Sequence, residues 1–305
     1  MGTASLHLAN WNALRRRWWE KVAPRCGFDD CVHRRNLWRR WRRRARGLEL
    51  EGVWYCLDHC LERALARALG GLRAIPERAA PAHRIPLGLL MLSRQQITAE
   101  QLRHALEVQR AAGRGKIGEW LKFFGFATDE QVTAALARQW SCPILRGGVL
   151  PAAERRIPQM PLGLLEAFAM IPVDYIPATA TLHVAFSERI DYTVLYALEQ
   201  MLGCHTEPCL VVPGVLRRHL QGLLERRRET EVVFDCLTDT AEFGRIIRSY
   251  AARVGASELR LAGCGPHLWA RLLRPARAPL DLLLRSSRGA IAPDPASQPS
   301  AYPAL

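Results

Sequence analysis

Apolar residues recur at helical spacing in three separate stretches of the chain. Residues 5–22 put Leu6, Leu8, Trp11, Leu14, Trp18 and Val22 on one side, which predicts a helix. Leu57, Leu61, Leu65 and Leu69 repeat every fourth residue and predict a second helix over 56–73. Phe243, Ile246, Ile247, Tyr250 and Val254 share one face of a third, Ala241 to Val254. Shorter patterns alternate between strand and helix. Residues 173–177 and 181–186 read as strands around a turn, 192–202 as a helix, 206–212 as a strand and 216–228 as a closing helix. Ser257 to Ala262 and His267 to Leu273 read as a hairpin turned by Gly263-Cys264-Gly265-Pro266.

A repeat lies in the middle of the chain. Residues 86–109, PLGLLMLSRQQITAEQLRHALEVQ, superpose on 116–139, KIGEWLKFFGFATDEQVTAALARQ, at an offset of 30. Leu87 meets Ile117, Gly88 meets Gly118, Thr98 meets Thr128, Ala105 meets Ala135 and Gln109 meets Gln139. Such self-similarity marks a duplicated helix–turn–helix unit. Thr98 and Thr128 suit the N-cap of each second helix, whose buried stripe follows at helical spacing.

Composition divides the chain into four parts. Residues 1–80 hold six of the nine Trp, the first four Cys and most of the Arg excess, and end in the Pro/Ala linker 74–83. Residues 84–226 hold the repeat and an α/β half. Residues 230–288 form a short α/β segment, and 289–305 a Pro/Ala/Ser tail expected to be disordered. The fold class expected is α+β. Over 305 residues, 43 Lys+Arg stand against 29 Asp+Glu, which favours polyanionic partners. The excess peaks in RRNLWRRWRRRAR, Arg34 to Arg46, a run able to grip nucleic-acid phosphates or anionic lipid, with Trp38 and Trp41 for stacking. The same run also reads as a solvated basic helix. No stretch of about 18 apolar residues occurs. The first residues lack the apolar core of a secretory signal, so a cytoplasmic protein is expected, with a peripheral place at the inner membrane as the variant.

Nine clustered cysteines fit a reducing compartment better than a disulfide framework. Cys26-x4-Cys31 and Cys56-x3-Cys60 form two closely spaced pairs, the second opening a helix. Two such knuckles suit a structural Zn2+ held by Cys26, Cys31, Cys56 and Cys60, with His33 and His59 as alternative ligands. The surrounding Gly-x-Trp-Tyr-Cys-x3-Cys resembles small zinc-ribbon or treble-clef modules. Cys204 and Cys209 beside His205 imitate a catalytic Cys/His pair, but a core role fits them better.

With the repeat spelled out, the chain resembles the N-terminal domain of type II secretion and type IV pilus assembly ATPases, also called the GspE N-terminal or MshEN domain. The likeness runs through Trp140 to Leu145, through Ala169 to Pro177 (AMIPVDYIP) and through Leu182 to Asp191 (LHVAFSERID), covering 84–226. Residues 241–285 resemble the entry to the ATPase body, with Gly255-Ala256-Ser257-Glu258-Leu259-Arg260-Leu261 at its centre. The family's next requirement is a Gly-x4-Gly-Lys-Ser/Thr loop, and none occurs in the sequence. The resemblance therefore implies a non-catalytic regulatory and docking protein of a secretion or pilus system, with assembly proteins at the inner membrane as partners. In some members the tandem motif binds cyclic di-GMP. Carried over, its positions are Leu87, Gly88, Gln109, Lys116, Ile117, Gly118 and Gln139, with Pro86 and Gln95 departing from the pattern and Lys116 standing where Arg is usual. A cyclic di-GMP sensor is one alternative function, and a nucleic-acid-binding protein using the cysteine module and the Arg run is another.

Overall fold

The structure is a computed structural model that describes residues 24–32, 47–56, 59–73, 84–145, 160–225, 231–237 and 240–286. The expected helix 5–22, the Arg34–Arg46 run, His33, the 74–83 linker and the 289–305 tail lie outside these residues. Along the chain come β1 (Gly47–Leu50), β2 (Val53–Cys56) and α1 (His59–Arg73). Four helices follow: α2 (Leu87–Ser93), α3 (Ala99–Ala112), α4 (Ile117–Phe123) and α5 (Asp129–Gln139). Then come α6 (Leu162–Ala167), β3 (Met170–Ile176), β4 (Thr181–Phe186), α7 (Tyr192–Leu202), β5 (His205–Leu210) and α8 (Pro213–Glu225). The chain continues through β6 (Glu231–Leu237), α9 (Thr240–Val254), β7 (Glu258–Cys264), β8 (His267–Arg274) and β9 (Arg277–Ser286). The protein is mixed α+β with two sheets.

The chain divides into two units. One takes the described residues of 1–75 together with those of 230–263 and 267–287; the other takes those of 76–229 with 264–266. The first unit is therefore discontinuous in sequence. Its six-stranded sheet runs β2-β1-β7-β8-β9-β6. The N-terminal hairpin turns at Glu51 and Gly52, both at positive φ, as a tight two-residue hairpin requires. It joins the later strands through β1, which lies parallel to β7 with Glu49 opposite Glu258 and Leu50 opposite Leu259. β9 alternates Leu280, Leu282 and Leu284 toward the core formed with Leu61, Leu65 and Leu69 of α1 and Phe243, Ile247 and Ala251 of α9. The four-residue spacing that marks α1 in the sequence is thus its core stripe.

In the second unit the two repeats interlock: α2 packs on α5 and α3 on α4. Met91, Ile97, Leu102, Ala105, Leu121, Val132 and Ala135 close the core between them. Both N-caps behave as the sequence predicts. The Thr98 hydroxyl accepts from Gln101 N–H at 3.2 Å, and Gln101 Oε1 accepts from Thr98 N–H at 2.9 Å; Thr128 and Gln131 repeat the box with the same distances. The turn between helices is also duplicated. Gly125 sits at φ +68°, and Gln95 holds the matching place at φ +57° with a side chain that favours other conformations. Gln95→Gly is accordingly expected to stabilise this unit by about 0.5–1 kcal/mol, the relief of left-handed strain less the added chain entropy. A urea titration showing no gain would mean that the turn carries no strain.

The α/β half of this unit pairs β3 antiparallel and β5 parallel to β4. The helical half reaches it through Leu145 N–H, which donates to the Leu210 carbonyl at 2.8 Å, and through the Pro143 carbonyl, which accepts from Leu210 N–H at 2.9 Å. α7 covers the crossover between β4 and β5. Asp191 caps its start by accepting from Thr193 N–H at 2.9 Å, and Gly203 ends it at φ +67°. Among the described residues no helix is long and apolar enough to cross a membrane.

Candidate functional site

The duplicated motif brings its second copy to a cavity of about 300 Å³. Lys116, Ile117 and Gly118 line it from the start of α4, Leu136 and Gln139 from the end of α5, and Leu87 from α2. The opposite wall is the loop after β4, Ser187-Glu188-Arg189, with Pro213 at the start of α8. Gly118 belongs there for a steric reason. A Cβ at that position would stand 3.1 Å from both Leu87 Cδ2 and Val132 Cγ1, tighter than ordinary contact, so both side chains would have to shift slightly to admit one.

Five of the seven positions marked in the sequence therefore meet at one cavity: Leu87, Lys116, Ile117, Gly118 and Gln139. Two do not. Gly88 faces Leu102, whose Cδ1 would lie 2.5 Å from an added Cβ, so it serves the packing of α2 on α3. Gln109 donates from Nε2 to the Gly115 carbonyl at 2.8 Å and holds the turn that delivers Lys116. The two repeats are similar in sequence but unequal in place, and the second supplies the lining. Ser187, Glu188 and Arg189 fall inside the matched stretch LHVAFSERID, yet nothing in their spacing marks them as neighbours of α4.

The cavity is electrostatically balanced. Lys116, Lys122 and Arg189 line it together with Glu119, Asp129 and Glu188. Lys116 Nζ donates to Glu188 Oε2 at 2.5 Å, and Lys122 Nζ to Asp129 Oδ1 at 2.7 Å. Glu119 accepts from Lys116 N–H at 2.9 Å at the start of α4. An anion entering here competes with carboxylates already in place. Gln139 Nε2 donates to the Ile85 carbonyl at 2.7 Å, and the Arg84 guanidinium lies 3.2 Å from the centroid of Trp140. These two contacts pin the segment before α2, including Pro86, against the end of α5.

The second constellation lies in the first unit. The sulfur atoms of Cys26, Cys31, Cys56 and Cys60 all lie within 4.8 Å of one another. Cys26 and Cys31 stand on the 24–32 loop, Cys56 ends β2 and Cys60 sits in the first turn of α1. The first three are buried. Burial pushes the Cys56 thiol up to about 11, against a hydrogen bond from Cys60 that acts the other way, and burial also raises Cys60. The donor set is all sulfur and soft, one of those that suit a tetrahedral divalent ion. His59, the alternative ligand, is not part of the cluster and its side chain is 95% exposed. Cys204 and Cys209 are buried core residues, and burial raises the Cys209 thiol to about 11, which disfavours a nucleophilic thiolate.

No known family profile and no curated protein matches the chain. Among solved structures it is similar to MshE with cdg, at 25% identity and a TM-score of 0.38, over 46% of this chain and 99% of that one. It is also similar to the N-terminal domain of XpsE in two crystal forms. These give 15% and 16% identity and TM-scores of 0.32 and 0.26, over 44% and 43% of this chain and 91% and 89% of those.

Proposed function

We propose that residues 84–225 form a non-catalytic regulatory and docking module of a type II secretion or type IV pilus system, and that its cavity admits a guanine nucleotide, with cyclic di-GMP the first ligand to test. The observation that carries this reading is the convergence of Lys116, Ile117, Gly118 and Gln139 with Leu87 on one cavity. Leu87, Ile117, Val132 and Leu136 offer apolar walls for the face of a base, Gln139 an amide for its edge, and Lys116 a cation for phosphate. At about 300 Å³ the cavity stands at the small end of ligand sites, so it encloses one nucleotide and leaves the rest of a dinucleotide at the mouth. The absence of a Gly-x4-Gly-Lys-Ser/Thr loop from the sequence supports a role without nucleotide hydrolysis. Secretion or pilus assembly proteins at the cytoplasmic side of the inner membrane are the partners this reading implies.

Isothermal titration of the full chain with cyclic di-GMP, GTP and ATP tests it. Cyclic di-GMP is expected to bind with a Kd on the order of micromolar. Gln139→Ala is expected to weaken it about five- to tenfold, the loss of one hydrogen bond to the base edge. Silence with all three nucleotides removes the ligand from the proposal and leaves a docking module. Turnover of ATP removes the non-catalytic reading.

A further inference from the structure

We propose that Cys26, Cys31, Cys56 and Cys60 hold one zinc ion as a closed tetrathiolate site, and that this ion locks the 24–32 loop, β2 and α1 into the wall on which the strands and helix contributed by residues 231–286 pack. The inference is independent of the nucleotide reading and concerns the other unit.

Geometry supports the ion first. A tetrahedron of thiolates at the usual ~2.3 Å Zn–S distance has S···S edges of about 3.8 Å. The Cys31 and Cys56 sulfurs stand 3.8 Å apart, and the other two lie with them inside the 4.8 Å limit. None of the four cysteines is in a disulfide, so no such bond competes for the cluster. Binding is a proton exchange: four thiols and Zn2+ give a tetrathiolate zinc centre of net charge −2 and four protons. Cys60 in the first turn of α1 places one of these sulfurs where a helix N-terminus favours negative charge.

The scaffold around the sulfurs is built to bring the two pairs together. Gly27 N–H donates to the Trp54 carbonyl at 2.9 Å, seating the first knuckle on β2. A Cβ on Gly27 would meet Val53 Cγ1 at 2.5 Å and Tyr55 Cε1 at 2.6 Å, so only glycine allows this approach. Phe28 packs its ring on Tyr55 at 5.6 Å. Arg63, three residues after Cys60, lies over the Phe28 ring and donates to Asp30 Oδ2 at 2.8 Å, joining the helix that carries Cys60 to the loop that carries Cys26 and Cys31.

Few main-chain contacts join the hairpin to the later strands, and the rest of the junction is the packing of α1 on α9, where Arg248 lies 3.1 Å from Glu62 Oε1. β1 and β2 have four residues each, short for strands that must stand by themselves. The junction with the later strands pairs only Glu49 with Glu258 and Leu50 with Leu259, supplemented by Glu49 N–H donating to the Ser257 carbonyl at 3.0 Å. Leu48, Leu50 and the cysteines nonetheless belong to the same core as Leu259, Leu261, Phe243 and Ile247. Metal that holds the knuckle, the end of β2 and the start of α1 in one place therefore holds one wall of that core.

The test uses the full chain, purified under reducing conditions without chelator. Elemental analysis is expected to find one zinc per chain. Replacement by Co2+ is expected to give the absorption of a tetrahedral thiolate site. His59→Ala should keep the metal, and Cys60→Ser should lose at least half of it. Zinc is then stripped with a thiol-reactive mercurial, excess reagent is quenched, and hydrogen exchange is followed by mass spectrometry. Exchange in α9 and β7 is expected to rise at least tenfold, while the capped helices α3 and α5 keep their protection. Less than a tenth of a zinc per chain, or iron in its place, overturns the site. One zinc per chain with unchanged exchange in α9 and β7 after stripping overturns the locking role and leaves the site standing. Neither result bears on nucleotide titration, so the two proposals fail separately.

Discussion

Replacing Asp281 by alanine is expected to cost the six-stranded sheet about 3–5 kcal/mol. Asp281 on β9 faces Arg271 on β8 across the antiparallel pair. Its Oδ1 accepts from Arg271 Nε at 2.7 Å and from Trp269 Nε1 at 2.8 Å, and its Oδ2 accepts from Arg271 NH2 at 2.8 Å. Both charged side chains are only 6% exposed. Their mutual attraction mainly offsets the cost of taking them from water, so the pair as a whole adds little. Removing one member is different: it takes from a buried guanidinium the carboxylate that accepts two of its N–H groups, and from an indole N–H its acceptor. The double replacement Arg271→Leu with Asp281→Leu is expected to cost less than Asp281→Ala alone, since it leaves no buried charge behind. Urea unfolding of the three variants measures this. An Asp281→Ala cost below about 1 kcal/mol would mean that the pair is solvated and behaves as a surface bridge.

The same pair shows where sequence reading stops. β8 was legible from its apolar run and turn, and α7 from periodicity, with the Asp191 cap and the Gly203 terminus agreeing with the predicted span of 192–202. Those signals are local: a cap, a period and a stop lie within a few residues of one another. β9 carries no comparable mark, because a strand buried on both faces reads as an apolar run without alternation, and β6 lies at the sheet edge with Val233 exposed and no clear alternation of its own. The parallel junction of β1 with β7 joins Glu49 to Glu258, and no period or motif selects a partner so far along the chain. The sequence segments the chain into consecutive pieces, whereas the sheet is assembled from both ends. Site residues divide in the same way. Lys116, Gly118 and Gln139 announced themselves by repetition, and the cysteines by spacing. Glu188 and Arg189 sit opposite them only because the β4–α7 loop is carried there by the fold.

That opposing loop gives the second large effect. Lys116→Ala is expected to weaken cyclic di-GMP about 10- to 100-fold, and Glu188→Gln to strengthen it about three- to fivefold. In the free protein Lys116 is engaged by Glu188 at 2.5 Å, with side chains 58% and 36% exposed. An ion pair so open to water is worth about 0–1 kcal/mol. A phosphate held by the same ammonium is a charge-assisted contact worth roughly 1.5–3 kcal/mol. Exchange of one partner for the other is therefore favourable, and its cost is the carboxylate that must move aside. Glu188→Gln removes that competitor together with its repulsion of the incoming phosphate, while keeping the size of the side chain. The part of the gain that comes from releasing Lys116 is lost in a Lys116→Ala background, so Glu188→Gln should strengthen binding less there, a coupling that a double-mutant titration reads directly. Both single effects should shrink as salt rises, because the site is open enough to be screened. Equal affinities for the wild type and Lys116→Ala would show that the phosphate lies elsewhere, and an additive double mutant would show that Glu188 acts without Lys116.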